Sequence, residues 1–243
     1  MARIKMSLFT ASLLVATGFF GISPVAGLRP VHGNGDGNTE TNRKKLLDTG
    51  ECTHCDLQGV DLSGIILEGV DLSDAHLQDA DLSGANLENA NLEDADLSDA
   101  NLENTNLGHA NLKGANLTQA ILSGANMTDV DMRDANLSSV DLKTTKLLGV
   151  NLREAILEAS DLSDVDLGGV DLREADLRDA DLSGIKLSGA NLEDAHLGGA
   201  NLRQADLSGA NLEDAILTNV ILSRANLSGA DLEEANLGHA DLS

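Results

Sequence analysis

From Asp56 to the last residue, apolar and polar positions repeat every five residues with no insertion or deletion. Leucine holds every fifth position from Leu57 to Leu242, except Met127 and Met132, which makes 38 centres. Two residues before each centre stands a small or β-branched apolar residue: Ala in 24 cases (Ala75, Ala80, Ala85), Val in eight (Val60, Val130, Val220), and Ile65 and Ile185. The residue directly before the centre is Asp in 15 repeats and Asn in 14, and the two after it are mostly Ser, Glu, Gly, Asp or Arg. A helix makes no use of this pattern, because a five-residue step turns the leucine by about 140° each time and no apolar stripe forms. A strand does use it: the centre and the residue two before it share one face. The two polar residues that follow break the alternation, and their Gly, Asn, Asp and Ser content marks a corner. Each pentapeptide is predicted to be a very short strand and a bend, and repetition at fixed period predicts a solenoid that buries its apolar face by stacking.

The unit Ala85-Asn86-Leu87-Glu88-Asn89, with its thirty-odd variants, resembles the pentapeptide-repeat proteins. The resemblance implies an all-β fold: a right-handed quadrilateral parallel β-helix, four pentapeptides to the coil, of about nine coils and about 45 Å at the usual strand spacing. Its core would be ladders of Leu and Ala. Phe9, Phe19 and Phe20 are the only aromatic residues, and all precede the repeats.

The N-terminal segment is of another kind. Arg3 and Lys5 precede an apolar run, Met6 to Ile22, that ends in Val25-Ala26-Gly27. Residues 1–27 therefore read as a secretory signal peptide; the run is barely long enough for a membrane span, which takes about 20 residues. Residues 28–40, with Gly33-Asn34-Gly35-Asp36-Gly37, read as a flexible linker. In 41–55, Thr41 to Asp48 predicts two helical turns that cap the first coil and keep its edge from recruiting other strands. This helix-then-CxxC entry is similar to that of secreted cyanobacterial members of the family. Cys52 and Cys55 are the only cysteines. In an exported protein, two cysteines three apart at a cap favour a short disulfide, with buried free thiols as the alternative.

The chain carries a formal charge of −24, all of it and more on residues 56–243. Such a surface repels nucleic acid and anionic membranes, so neither is expected as a partner. A basic protein or divalent cations would be attracted. With twenty residues per coil, Lys113, Arg133, Arg153 and Arg173 share one register, either as an anion-binding strip or as a ladder neutralised by adjacent carboxylates; like charges stacked this closely favour the ladder. A second side loses charge toward the C-terminus: Gly168, Gly169, Ser188, Gly189, Ser208, Gly209, Ser228 and Gly229 form a candidate interaction face, although Gly also simply suits a corner. Ile66, Ile121, Ile156, Ile216 and Ile221 replace the outward Asp or Asn.

Nothing points to catalysis, to a cofactor or to a metal: the histidines are scattered, and convex ladders of Asp and Asn do not converge the six to eight oxygens a strong Ca²⁺ site takes. The expected function is that of a non-enzymatic exported scaffold in the periplasm, the thylakoid lumen or outside the cell, a rigid acidic rod that binds a protein through one face. The alternative, which some cytoplasmic relatives suggest, is mimicry of DNA to inhibit a type II topoisomerase. The chain stops at Ser243, one residue past the centre Leu242, with nothing to cover the last coil. That open edge leads to the expectation of a homodimer through the C-terminal coil.

Overall fold

The computed structural model describes residues 37–243. The signal-peptide expectation for 1–27 and most of the 28–40 linker fall outside the described residues. Helix α1 spans Gly37–Thr49, so helix begins inside the segment read as linker, four residues before Thr41. Glycine density hid the start, although Glu40 puts an acid in the first turn, where the helix dipole favours it. Gly50 ends the helix in the left-handed region (φ 71°), and its N–H donates to the Leu46 carbonyl at 2.8 Å.

The repeats wind as a parallel β-helix with twenty residues per turn. Every bridge joins a residue to the one twenty further on, in parallel, from Glu51↔Asp71 through Asn86↔Asn106 to Ile221↔Asp241. Each pentapeptide contributes a single bridging residue, the one before its leucine, and then a turn. Three N–H groups per pentapeptide cross to neighbouring coils: Leu82 donates to the Asn101 carbonyl (2.8 Å), Gly84 to Glu103 (2.8 Å) and Asn86 to Ile65 (2.9 Å). A fourth closes the corner, Ala85 N–H to Leu82 carbonyl at 3.0 Å. The polar backbone is thus satisfied almost wholly by stacking, which is why a short unit can exist only in an array.

The leucines and the residues two before them fill the interior, and those from Leu57 to Leu222 are at most 7% exposed. Thr105 and Thr145 stand at core positions and stay satisfied, their hydroxyls donating to the Leu82 and Leu122 carbonyls. From Ala225 onward the core residues are only partly covered, and Leu242 is exposed.

At the other end the ladder starts one pentapeptide earlier than the sequence suggested. Cys52, five before Leu57, occupies a leucine register, is fully buried, and donates its N–H to the Asp71 carbonyl. Above it, α1 supplies what a preceding coil would. Interior carbonyls before each leucine accept a leucine N–H, as His76 does from Leu57. In the first coil, Asn42 Nδ2 donates instead to the Asp56 carbonyl (3.0 Å) and Arg43 Nε to the Asp61 carbonyl (3.1 Å). Leu46 adds the apolar lid.

The ladder breaks at one place. Among the described residues, no bridge forms between Ile121 and Asp141 or between Lys146 and Asp166, although every other rung of the series is present. The cause is Thr144. Every repeat places the second residue after its leucine in the left-handed region, with glycine at some corners and residues such as Asp79 (φ 58°) or Ala159 (φ 55°) at the others; Thr144 alone does not adopt it. A β-branched residue is the type least able to do so. Its hydroxyl takes over one lost bond, accepting from Gly124 N–H at 3.1 Å. Thr144→Gly should restore the corner and both rungs, raising stability by about 1 kcal/mol after the entropy cost of glycine. Thermal unfolding and amide exchange at Leu122 check it; an unchanged or lower melting temperature contradicts it.

Candidate functional site

The twenty-residue register sorts the outward residues onto four sides, here named for Arg153, Asp166, His196 and Asp161. The Arg153 side carries the basic run. Arg133 grips Asp131 through Nη2 at 2.6 Å, Arg173 grips Asp171 at 2.7 Å, and Arg153 reaches Glu174 at 2.7 Å and Glu154 at 3.1 Å. The guanidinium hydrogen bonds hold the Asp131 and Asp171 carboxyls below the usual carboxylate range. A run so compensated is a charge ladder and offers no free anion strip.

C-terminal to that run the same side stacks Glu193, Glu213 and Glu233 beside Asp194, Asp214 and Asp231. Desolvation, then repulsion from Glu193, Asp214, Glu233 and Asp231, pushes the Glu213 carboxyl up. A raised folded-state value means its contribution is best below the ordinary glutamate range and is lost as pH rises through the folded value. Glu213→Gln should therefore raise the melting temperature at pH 7, with the gain vanishing below about pH 4. Melting curves at the two pH values check the sign, and a gain that persists at the lower pH contradicts it.

Lowered values elsewhere act in the opposite sense. Asp161, below its ordinary value against a counteracting desolvation, owes this to hydrogen bonds from Lys143 and Ser163. Its stabilisation is present above the ordinary aspartate range and fades as pH falls through the folded value.

The ladders hold a second network that sequence reasoning missed. Asparagines before the leucine donate to the residue one coil back: Asn111 Nδ2 to Asn91, Asn91 to Asp71, Asn126 to Asn106 and Asn201 to Asp181, at 2.7–3.0 Å. Asn following Asp or Asn at a spacing of twenty was the available signal, since only the amide can donate where two carboxylates would repel.

The Asp166 side holds Gly168, Gly169, Ser188, Gly189, Ser208, Gly209, Ser228 and Gly229 in consecutive coils. The structure brings all eight onto one surface. Ser208 Oγ donates to Ser188 Oγ at 3.2 Å. Glycine suits the left-handed φ of these corners, as at Gly189 (66°), which other corners adopt with residues such as Asp79. The glycine corners from Gly169 onward are open: a Cβ built at Gly169, Gly189, Gly209 or Gly229 meets no atom within 4 Å, whereas at Gly149, beside Leu148, it meets Asp129 Oδ1 at 2.1 Å. Leu148, at the head of this surface, is 75% exposed. From Lys146 to Gly229 its charges balance, Lys146 and Lys186 against Asp166 and Asp206, while each other side is net acidic over the same coils. Lys186 Nζ lies 3.2 Å from Asp166.

Cys52 and Cys55 come together under α1, sulfurs 2.02 Å apart and Cα atoms 5.2 Å apart. The histidines do not converge: His54 sits 3.6 Å from Asp74 and His109 3.7 Å from Asp129, each in a separate ladder. Among the described residues, no group of three or more His, Cys, Asp or Glu is arranged to hold a metal ion, and no helix is long and apolar enough to cross a membrane.

The family described as pentapeptide repeats (8 copies) matches at residues 55–94, 95–134, 135–173, 155–194, 185–224 and 205–243. The chain belongs to the pentapeptide-repeat family. The solved pentapeptide-repeat proteins it resembles form right-handed β-helices. The crystal structure of HetL, a pentapeptide repeat protein involved in heterocyst differentiation regulation from the cyanobacterium Nostoc sp. strain PCC 7120, is 37% identical with a TM-score of 0.51, over 83% of this chain and 94% of HetL. A pentapeptide repeat protein of the Arabidopsis thaliana thylakoid lumen is 26% identical with a TM-score of 0.30, over 58% of this chain and 78% of its own. QnrB1, a plasmid-mediated fluoroquinolone resistance protein, is 18% identical with a TM-score of 0.38, over 75% and 91%. No curated protein sequence matches the chain. As a pentapeptide-repeat protein the chain falls among proteins that are generally structural or interaction modules without enzymatic activity.

Proposed function

We propose that this protein is an exported, non-enzymatic scaffold, a quadrilateral rod of about nine coils that binds a protein through its Asp166 side. The observation that carries the proposal is the contrast between sides. In a chain of net charge −24, one surface is charge-balanced from Lys146 to Gly229, open at its glycine corners from Gly169 onward, and headed by an exposed leucine, Leu148. Flat surfaces of small residues let another backbone approach closely, and charge depletion is what distinguishes the core of an interface from the rest of a surface. The filled core leaves the sides as the surfaces available for function.

Export rests on the leader read in residues 1–27, and the disulfide between Cys52 and Cys55 belongs to the exported form. N-terminal sequencing of protein from its native host should begin after Gly27. Thiol labelling under denaturing conditions should find no free thiol. The partly covered leucines of the final described coil (Leu227, Leu232, Leu237) are a further surface, and a second copy meeting it end to end would give a particle of doubled length in small-angle X-ray scattering.

The test of the scaffold proposal is affinity capture from envelope extract with the purified protein. One stoichiometric protein partner is expected, and it should be lost when Ser188 and Ser208 are both changed to Arg. The acidic surface favours a second reading, mimicry of DNA toward a type II topoisomerase. Inhibition of DNA supercoiling by the purified protein, together with an intact Met1 in the cytosol, would replace the first reading with this one.

A further inference from the structure

The partner chemistry of the Asp166 side can be read from its charge order. In the position before each leucine, four successive coils carry Lys146, Asp166, Lys186 and Asp206, alternating in sign at a spacing of about 4.8 Å. Such a sequence is its own complement when reversed. A two-fold axis along the strand direction, passing between Asp166 and Lys186, sets Asp166 against Lys186 of a second copy and Lys146 against its Asp206. The same axis places Leu148 over the Ser208 and Gly209 of the other copy, where nothing lies within 4 Å of a Cβ built on the glycine.

We infer that the Asp166 side pairs with the Asp166 side of a second copy of this chain, antiparallel and isologous. The inference rests on the proposed function and deepens it by naming the occupant.

Three further observations favour this occupant. Of the carboxylates of this side that have no counterpart, Glu68 and Glu88 lie outside the overlap, which runs from Asn126 to Asn226, and Asp129 sits at its edge, 3.7 Å from His109 of the same copy. Two of the other sides fail the same operation: on the Arg153 side any such axis within the last coils sets Glu193, Glu213 and Glu233 against one another, and on the Asp161 side Asp141, Asp161 and Asp181 follow in succession. The pairing ion contacts are also accessible, since Asp166 and Lys186 are 66% and 62% exposed. Isologous contacts of this kind close at two copies and do not propagate.

The overlap is about 24 Å of one side, a few hundred Å² per copy, well below the roughly 800 Å² per partner of standard stable interfaces. The association is therefore weak and concentration-dependent, of the transient class.

The experiment uses the purified full-length exported protein in about 0.15 M salt, where the Debye length is about 8 Å. Sedimentation equilibrium should show a dimer appearing at hundreds of micromolar, and scattering should show a side-by-side particle whose length exceeds the monomer's by less than half. Lys186→Asp or Asp166→Lys alone should weaken association at least tenfold, and the double swap D166K/K186D should recover it, because reversal of both signs preserves the complement. For register, L148C mixed with S208C should form a disulfide-linked dimer under mild oxidation, while neither does so alone, since like positions in the pair are three coils apart. A monomer at millimolar concentration, a particle of doubled length, or a double swap no better than its singles overturns the inference. If it is overturned while arginines at Ser188 and Ser208 still abolish capture of another protein, the side remains a docking face with a different occupant. If capture is also unaffected, both readings fall.

Discussion

Leu137→Ala should destabilise the protein by about 2–5 kcal/mol, the cost of a leucine-sized cavity in an interior that relaxes only partly. Leu137 is fully buried, in the register of Leu117 and Leu157. The cost should sit toward the upper end because both neighbouring coils are fixed by ladder bonds, such as Leu137 N–H to the Ile156 carbonyl at 2.7 Å and Leu117 N–H to the Asn136 carbonyl at 2.7 Å. The inverse change on the same face should be as damaging. Ala135 is 0% exposed, so Ala135→Phe has no room for its ring, whereas Ser138→Phe projects outward from the turn and should change stability little. Chemical denaturation of the three variants checks this, and equal midpoints for the two phenylalanine variants would refute the assignment of faces.

The second large effect is expected at the cap. Arg43 is 5% exposed and its Nε donates to the Asp61 carbonyl, in the role that a leucine N–H plays one coil further on. Arg43→Ala removes that donor and the packing of the side-chain stem. A cost of about 1–3 kcal/mol follows from a buried carbonyl losing a partner. Because solenoid stability is a sum of neighbouring contacts, the loss should appear first as fraying. Amide exchange should accelerate at Cys52, Leu57 and Leu62 while the coils beyond Ala100 keep their protection. Uniform acceleration along the rod would contradict the local role of the cap.

Much of this was legible in the sequence because the structure is simple in one particular way. A period of five with apolar residues two apart admits a strand and a corner, and the leucines from Leu57 to Leu222 are buried as that pattern requires. What stayed hidden depends on relations between coils or on single departures from the repeat. The Asn-to-Asp donations run across twenty residues, so they emerge only once the register is known. Thr144 breaks the ladder through a φ restriction that composition does not display, since threonine is otherwise a good strand residue. Cys52 was read as part of a cap motif, although its position five before Leu57 marks it as a core centre. Of the candidate face, the eight small residues were legible and are adjacent in space. The exposure of Leu148 and the openness above the glycines were not, because both depend on what the coil above presents.

The central claim is that one side, and not the rod's acidity as a whole, does the binding. Capture of the partner by protein variants carrying two arginines on one side at a time tests it most directly. Ser188→Arg with Ser208→Arg alters the Asp166 side, Ser98→Arg with Ser138→Arg the His196 side, and Ser123→Arg with Ser223→Arg the Asp161 side. All three add the same charge at outward turn positions, so a general electrostatic effect would act on them equally. Loss of binding confined to the first pair is the expected result; equal loss in all three, or loss confined to another side, would contradict the account.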